Sequence, residues 1–207
     1  MAERKKVGIL IFDDVEVLDF CGPYEVFCSV RLDEARRREE PSPFQAFLVA
    51  EKPDLIRTSG GMRVLPDVTT ADCPKLDILL VPGGWGTRRE IDNKQLLAWI
   101  AAQATQVETL TSVCTGSMLL GKVGLLAGRR ATTHWKSLGW MRESFPDVTV
   151  VEDQHVVRDG NIFTSAGISA GIDLALLVTA EYFGEDVSRS TAGHMEYRYP
   201  ESNERRV

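Results

Sequence analysis

The sequence predicts an α/β fold, a mostly parallel sheet with helices on both faces and a cysteine at a strand-to-helix elbow. Three observations predict it. Apolar runs of strand length alternate with segments of helical period from Lys5 to about residue 185. The stretch LDILLVP gives an almost unbroken apolar run from Leu76 to Val81, as a strand buried on both faces requires. In VETLTSVCTGSMLLG, Val107 to Gly121, a strand around Val107, Leu110 and Val113 runs straight into a helix opened by Gly116 and Ser117, with Cys114 at the turn.

In chain order, Lys5 to Phe12 reads as the first strand and Val17 to Val30 as a helix entered through Gly22-Pro23. The charged segment Arg31 to Pro43 reads as a solvated helix end and loop, and Phe44 to Ala50 as the second strand. Apolar pieces around Leu55 and at Met62 to Leu65, flanking Ser59-Gly60-Gly61, look like a hairpin added to the sheet. The buried strand stops at Pro82-Gly83-Gly84, and a helix from Asn93 to Ala104 places Leu96, Leu97 and Ile100 on one face. Beyond the elbow come a strand at Arg129 to Thr133, a helix at His134 to Arg142, and short strands at Val148 to Val151, His155 to Arg158 and Ile162 to Thr164. A last helix spans Ser169 to Phe183, and Pro200 to Val207 reads as a loose polar tail. One domain covers residues 1–207, with its core at about 5–185.

Composition narrows the function. The 207 residues are 43% hydrophobic and 26% charged, as in ordinary globular proteins, and the net charge of −6 offers no basic field for nucleic acid. The apolar run Val7 to Phe12 is too short for a signal peptide or a membrane span, so a cytoplasmic protein with no membrane contact is expected. Cys21, Cys28, Cys73 and Cys114 show no CxxC spacing, and His134, His155 and His194 stand far apart, which points to neither a metal site nor a disulfide framework. A thiol at the elbow has free backbone N–H groups and a helix N-terminus beside it, both favouring thiolate. The same pattern also fits a buried structural cysteine.

The strings KVGILIF, VLDFCGPYEVF, LDILLVPGGWG, TSVCTGSMLLGKVGLLAGRRATTHW and VVRDGNIFTSAGISAGIDLAL resemble the ThiJ/PfpI superfamily from Val7 to about Phe183. The resemblance implies a flavodoxin-like three-layer sandwich, a homodimer, a reactive Cys114 and a first-loop acid, Asp19, that hydrogen-bonds or exchanges a proton with it. Asp19 also fits a helix N-cap. Within the superfamily the chain is most similar to the isonitrile-hydrating branch and to sensor domains attached to AraC-type regulators. Hydration of an isonitrile to an N-substituted formamide, without cofactor, is the activity the first implies. A cofactor-free dicarbonyl enzyme or a non-catalytic sensor is the alternative.

Departures from the superfamily pattern are informative. Thr115 stands where the protease-like branch carries histidine, so no adjacent imidazole can serve the cysteine. Its hydroxyl either orients water or substrate or satisfies a local N–H. Gly83 and Gly84 offer backbone donors, Trp85 a pocket wall or dimer contact, and His134 either a pocket group or a structural one. Ala166, Gly167 and Ile168 match a segment that lines the pocket in the hydrating branch. Ala166 replaces a glycine there, and its methyl is expected to narrow the cavity.

Overall fold

The computed structural model describes residues 3 to 206, so Met1, Ala2 and Val207 lie outside the description. Its strands are β1 Lys5–Leu10, β2 Phe44–Ala50, β3 Ile56–Arg57, β4 Arg63–Val64, β5 Val68–Thr69, β6 Ile78–Val81, β7 Thr109–Val113, β8 Arg130–Ala131, β9 Thr149–Val150, β10 Val156–Asp159 and β11 Ile162–Ser165. The helices are α1 Val17–Ser29, α2 Thr87–Glu90, α3 Lys94–Ala104, α4 Gly116–Lys122, α5 Leu138–Ser144, α6 Ala170–Phe183 and α7 Glu185–His194.

Seven strands form the central sheet in the order β10-β11-β7-β6-β1-β2-β5, parallel except for the antiparallel edge strand β10. The apolar runs of β6 and the β-branched β7 are buried along their whole length, as expected of strands covered on both faces. Helices α1, α6 and α7 pack together on one side, while α3 and α4 cover the other, giving the three-layer, flavodoxin-like sandwich. The register pairs Ile9 with Leu80, Val81 with Ser112 and Val113 with Ser165, so β1, β6, β7 and β11 end at one level. From β1 the chain moves outward to β2 on one side and returns to β6 on the other. The β1–β6 junction is therefore a topological switch point, where open α/β sheets bind ligands.

Several elements differ from the sequence reading. Pro23 lies inside α1, nearly two turns beyond the Val17 start, where it removes a helical N–H but packs against Gly171 of α6. The β3–β4 hairpin forms its own two-stranded sheet. The segment after His134 makes a 3-10 turn, Trp135–Ser137, before α5 begins. Helix α7, with little apolar period of its own, buries Ser188, Thr191 and Ala192.

The C-terminal segment is docked. His155 donates its N–H to Asn203 O at 2.7 Å, and the Asn203 side chain bonds Val156 N and O, both at 2.8 Å. Arg205 N donates to Asp153 O at 2.8 Å, and Arg206 pairs with Asp173 at 2.7 Å. These polar residues gain partners from an edge strand and a helix distant in sequence, a context composition does not display. Among the described residues no helix is long and apolar enough to cross a membrane, and no three His, Cys, Asp or Glu side chains cluster as metal ligands.

Candidate active site

At the carboxyl edge of the sheet, β7 passes into α4 through Cys114, whose φ of 56° is left-handed, a strained conformation for a side-chain-bearing residue. The elbow is tied on three sides. Cys114 N donates to Ala166 O at 3.1 Å, and Cys114 O accepts from Thr133 Oγ1 at 2.9 Å and Ser117 Oγ at 3.1 Å. It closes so tightly that a Cβ on Gly116 would lie 2.0 Å from Val81 O.

Asp19, in the first turn of α1, is completely buried beside this elbow. Its Oδ2 accepts from Gly83 N at 2.9 Å, its Oδ1 accepts from Ile168 N at 3.2 Å, and its carboxyl is in hydrogen-bond contact with the Cys114 thiol. It does not cap the helix, whose N-cap is Glu16. Ile168, which shares Cys114's φ of 56°, turns its N–H inward to reach the carboxyl.

Burial dominates the electrostatics. Removal from water pushes the Asp19 carboxyl up to about 8, against the opposing pull of the Gly83 N–H. The Cys114 thiol is likewise raised well above its usual range by burial and by the Asp19 charge, and the Thr115 N–H only partly offsets this. The thiolate favoured by the elbow alone is therefore not the resting state. A neutral thiol and a neutral carboxyl face each other near pH 7.

Thr115 Oγ1 accepts from Gly84 N at 3.1 Å and lies 3.0 Å from Thr87 Oγ1, tying the elbow to the loop after β6. The Gly84 N–H is thus engaged rather than free. Gly84 has φ +132°, and a Cβ there would lie 2.4 Å from Asp14 O, so only glycine fits where the two loops bridge. His134 Nδ1 accepts from Lys136 N at 3.2 Å, while burial and the Lys136 charge lower its pKa, leaving a neutral ring protonated at Nε2. Its ring lies against Gly167, where a Cβ would come within 2.2 Å of Cδ2.

These residues border a cavity of about 250 Å³. Cys114, Thr115, Gly84, Trp85, His134 and Ile168 line it, together with Glu16, Arg88, Lys136 and Ser137, which sequence reasoning passed over. Each of those four lies within two residues of a motif quoted above: Glu16 just before VLDF, Arg88 two residues after GGWG, and Lys136 and Ser137 after ATTHW. Gly83, Ala166 and Gly167 stand behind the wall. The Ala166 methyl is buried and not on the cavity surface, while Ala166 N and O bond His155 and Cys114.

The model of the DJ-1/PfpI family matches residues 5–181. Isonitrile hydratase of Pseudomonas putida is 39% identical over 193 residues, 93% of this chain and 78% of that protein. The regulator GbdR of Pseudomonas aeruginosa is 35% identical over 130 residues, 63% of this chain but only 35% of the regulator. Among solved structures, a ThiJ/PfpI family protein from Pseudomonas syringae aligns with TM-score 0.82 at 29% identity, covering 97% of this chain and 78% of that one. Drosophila melanogaster DJ-1beta shares the fold at TM-score 0.80 and 19% identity, covering 95% of this chain and 100% of that one. On this evidence of sequence and fold, the chain belongs to the DJ-1/PfpI family.

Proposed function

We propose that the protein hydrates an isonitrile to the N-substituted formamide, with Cys114 as nucleophile and Asp19 as proton carrier. The observation that carries this reading is a buried carboxyl, raised to about 8, in contact with a thiol at the floor of a cavity. The identity to the Pseudomonas putida isonitrile hydratase supports the same chemistry.

The terminal carbon of an isonitrile takes both a proton and a nucleophile, and a neutral acid–thiol pair supplies both. Asp19 gives its proton to that carbon while Cys114 Sγ bonds to it, and the thiol proton passes to the Asp19 carboxylate. The product is a thioformimidate, with Asp19 again protonated and no net charge created in the buried site. Water then adds through oxygen to the same carbon, and a proton reaches the nitrogen through Asp19. Collapse of the adduct forms the carbonyl, breaks the C–S bond and returns the hydroxyl proton to sulfur. Every bond and proton in the cycle is accounted for by the two side chains and one water.

The geometry supports supporting roles for the other groups. Thr115 and Gly83 hold the nucleophile and acid in place, and the neutral His134 offers a donor at the cavity wall. The test is formamide production, followed by chromatography, from a panel of alkyl and aryl isonitriles with the parent and Cys114→Ala proteins. Turnover that depends on Cys114 is expected. Equal rates in both, or none with any isonitrile, would reject the reading.

A further inference from the structure

The mouth of the cavity carries a charge pattern at odds with the chain as a whole. Acidic residues outnumber basic ones by 30 to 24, yet two exposed cations on the cavity lining, Arg88 and Lys136, have no carboxylate within 4 Å among the described residues. The neighbouring Arg89 shows what pairing looks like here. It holds Glu90 at 2.8 Å, Asp14 at 3.2 Å and Asp13 O at 2.6 Å, whereas the Arg88 guanidinium is held only on aromatic faces. Its carbon lies 4.6 Å from the ring centre of Trp85 and 5.4 Å from that of Trp140. Lys136 Nζ sits 5.0 Å from the ring centre of Trp135. Stacking of this kind fixes a cation without consuming its N–H donors.

The inner lining offsets them only in part. Among the lining residues Glu16 is the one carboxyl side chain, set against the two cations, and it accepts from Ser59 Oγ at 3.0 Å. Asp19, deeper in, keeps its proton near neutral pH. The result is a cavity with a neutral reacting centre and a cationic rim.

We propose that the substrate's N-substituent ends in a carboxylate, which Arg88 and Lys136 hold at the mouth while the isonitrile carbon reaches Cys114. This rests on the hydratase reading and narrows it to isonitrile acids with a short apolar or aromatic spacer. The spacer faces Ile168, which is 40% exposed at the rim, and Trp85, which is 68% exposed. A guanidinium beside an ammonium recognises a carboxylate through charge-assisted hydrogen bonds, and an exposed pair also steers its approach.

The experiment compares 4-isocyanobenzoate with its neutral methyl ester. In the parent protein at low salt, kcat/KM is expected to favour the acid by about fivefold or more, and the preference should shrink as salt shortens the screening length. In the Arg88→Met, Lys136→Met double variant the acid-to-ester ratio should fall toward one. An ester used as well as the acid, or a preference that survives in the double variant, would overturn the proposal. Should Arg88→Met disturb the Trp85–Trp140 stack, Lys136→Met alone reads the same ratio.

A second readout stands apart from hydration. The ratio of Cys114 alkylation rates by iodoacetate and iodoacetamide should be higher in the parent than in the double variant. Equal ratios count against the cationic mouth. Absence of turnover with both isonitriles, alongside unequal alkylation ratios, would place the failure in the hydratase reading instead.

Discussion

The Asp19 carboxyl touches the Cys114 thiol with both of its oxygens already accepting backbone N–H groups, from Gly83 and from Ile168. Those donors come from loops after different strands, so the acid is fixed by the meeting of three segments at the switch point rather than by its own helix. A carboxyl so held cannot turn away from the sulfur, and its buried surroundings keep it protonated until about pH 8.

The first prediction concerns rate against pH. If the neutral carboxyl is the acid that protonates the isonitrile carbon, kcat/KM for an uncharged isonitrile falls as pH rises through about 8, where Asp19 loses its proton. Asp19→Asn should lose about 10²- to 10⁴-fold and show no such limb. A parent rate that instead climbs through pH 9 would assign the chemistry to a pre-formed thiolate.

The same group should leave a mark on stability. Its native pKa is raised, while the unfolded chain releases this proton near pH 4, so between those values the native state holds a proton that the unfolded state does not. Asp19's contribution is therefore fully present below about pH 4, declines as pH rises and levels off above about 8. The unfolding free energy of the parent should fall more steeply than that of Asp19→Asn, by at most about 1.4 kcal/mol per pH unit. Urea titrations of both proteins at several pH values measure the difference. Parallel pH dependences would mean that the carboxyl is ionised in the native protein.

Cys114 should be a slow thiol despite its elbow. Burial and the neighbouring carboxyl raise its pKa well above the ordinary value, so alkylation by iodoacetamide should be slower at pH 7 than that of a free thiol and accelerate into the alkaline range. Mass spectrometry of the Cys114 peptide at timed intervals reads this directly. Fast labelling at pH 7 would show that the N–H groups of the elbow outweigh burial.

Much of this site was legible in the sequence because the elements that build it are locally determined. The apolar run of β6 and the Gly116-Ser117 helix opening specify a buried strand and a sharp turn from neighbouring residues alone, and Cys114 follows from them. Asp19 was legible only through the motif VLDFCGPYEVF, since nothing local shows that Gly83 and Ile168 will donate to it. The elbow's pull toward thiolate was legible, but not that burial would outweigh it, for the same reason. Local N–H groups can be inferred from a turn, whereas complete burial beside a carboxyl depends on segments remote in sequence. Helix α7 and the docked tail escaped because their contacts are polar and long-range, such as Ser188 Oγ donating to Leu176 O at 2.7 Å. Arg88 and Lys136 carry no local signal, and only the fold brings them to one rim.

The tail offers the last prediction, because it reaches the nucleophile through one intermediate residue. Arg205 Nη2 donates to Thr132 Oγ1 at 2.5 Å and to Thr133 O at 3.2 Å, and its Nε donates to Glu152 O at 2.6 Å. Thr133 Oγ1 in turn donates to Cys114 O at 2.9 Å, bracing the elbow against its strained φ. Removing the guanidinium leaves the buried Thr132 hydroxyl without this donor and frees the loop that carries His134. Arg205→Ala should therefore lower the unfolding free energy by about 1 to 3 kcal/mol and reduce kcat more than it changes KM. Arg205→Lys, with a cation but no planar fork, should recover only part of either loss. Urea titration and steady-state kinetics on the three proteins check both effects. If Arg205→Ala matches the parent in stability and kcat, the segment lies on the site without bracing it.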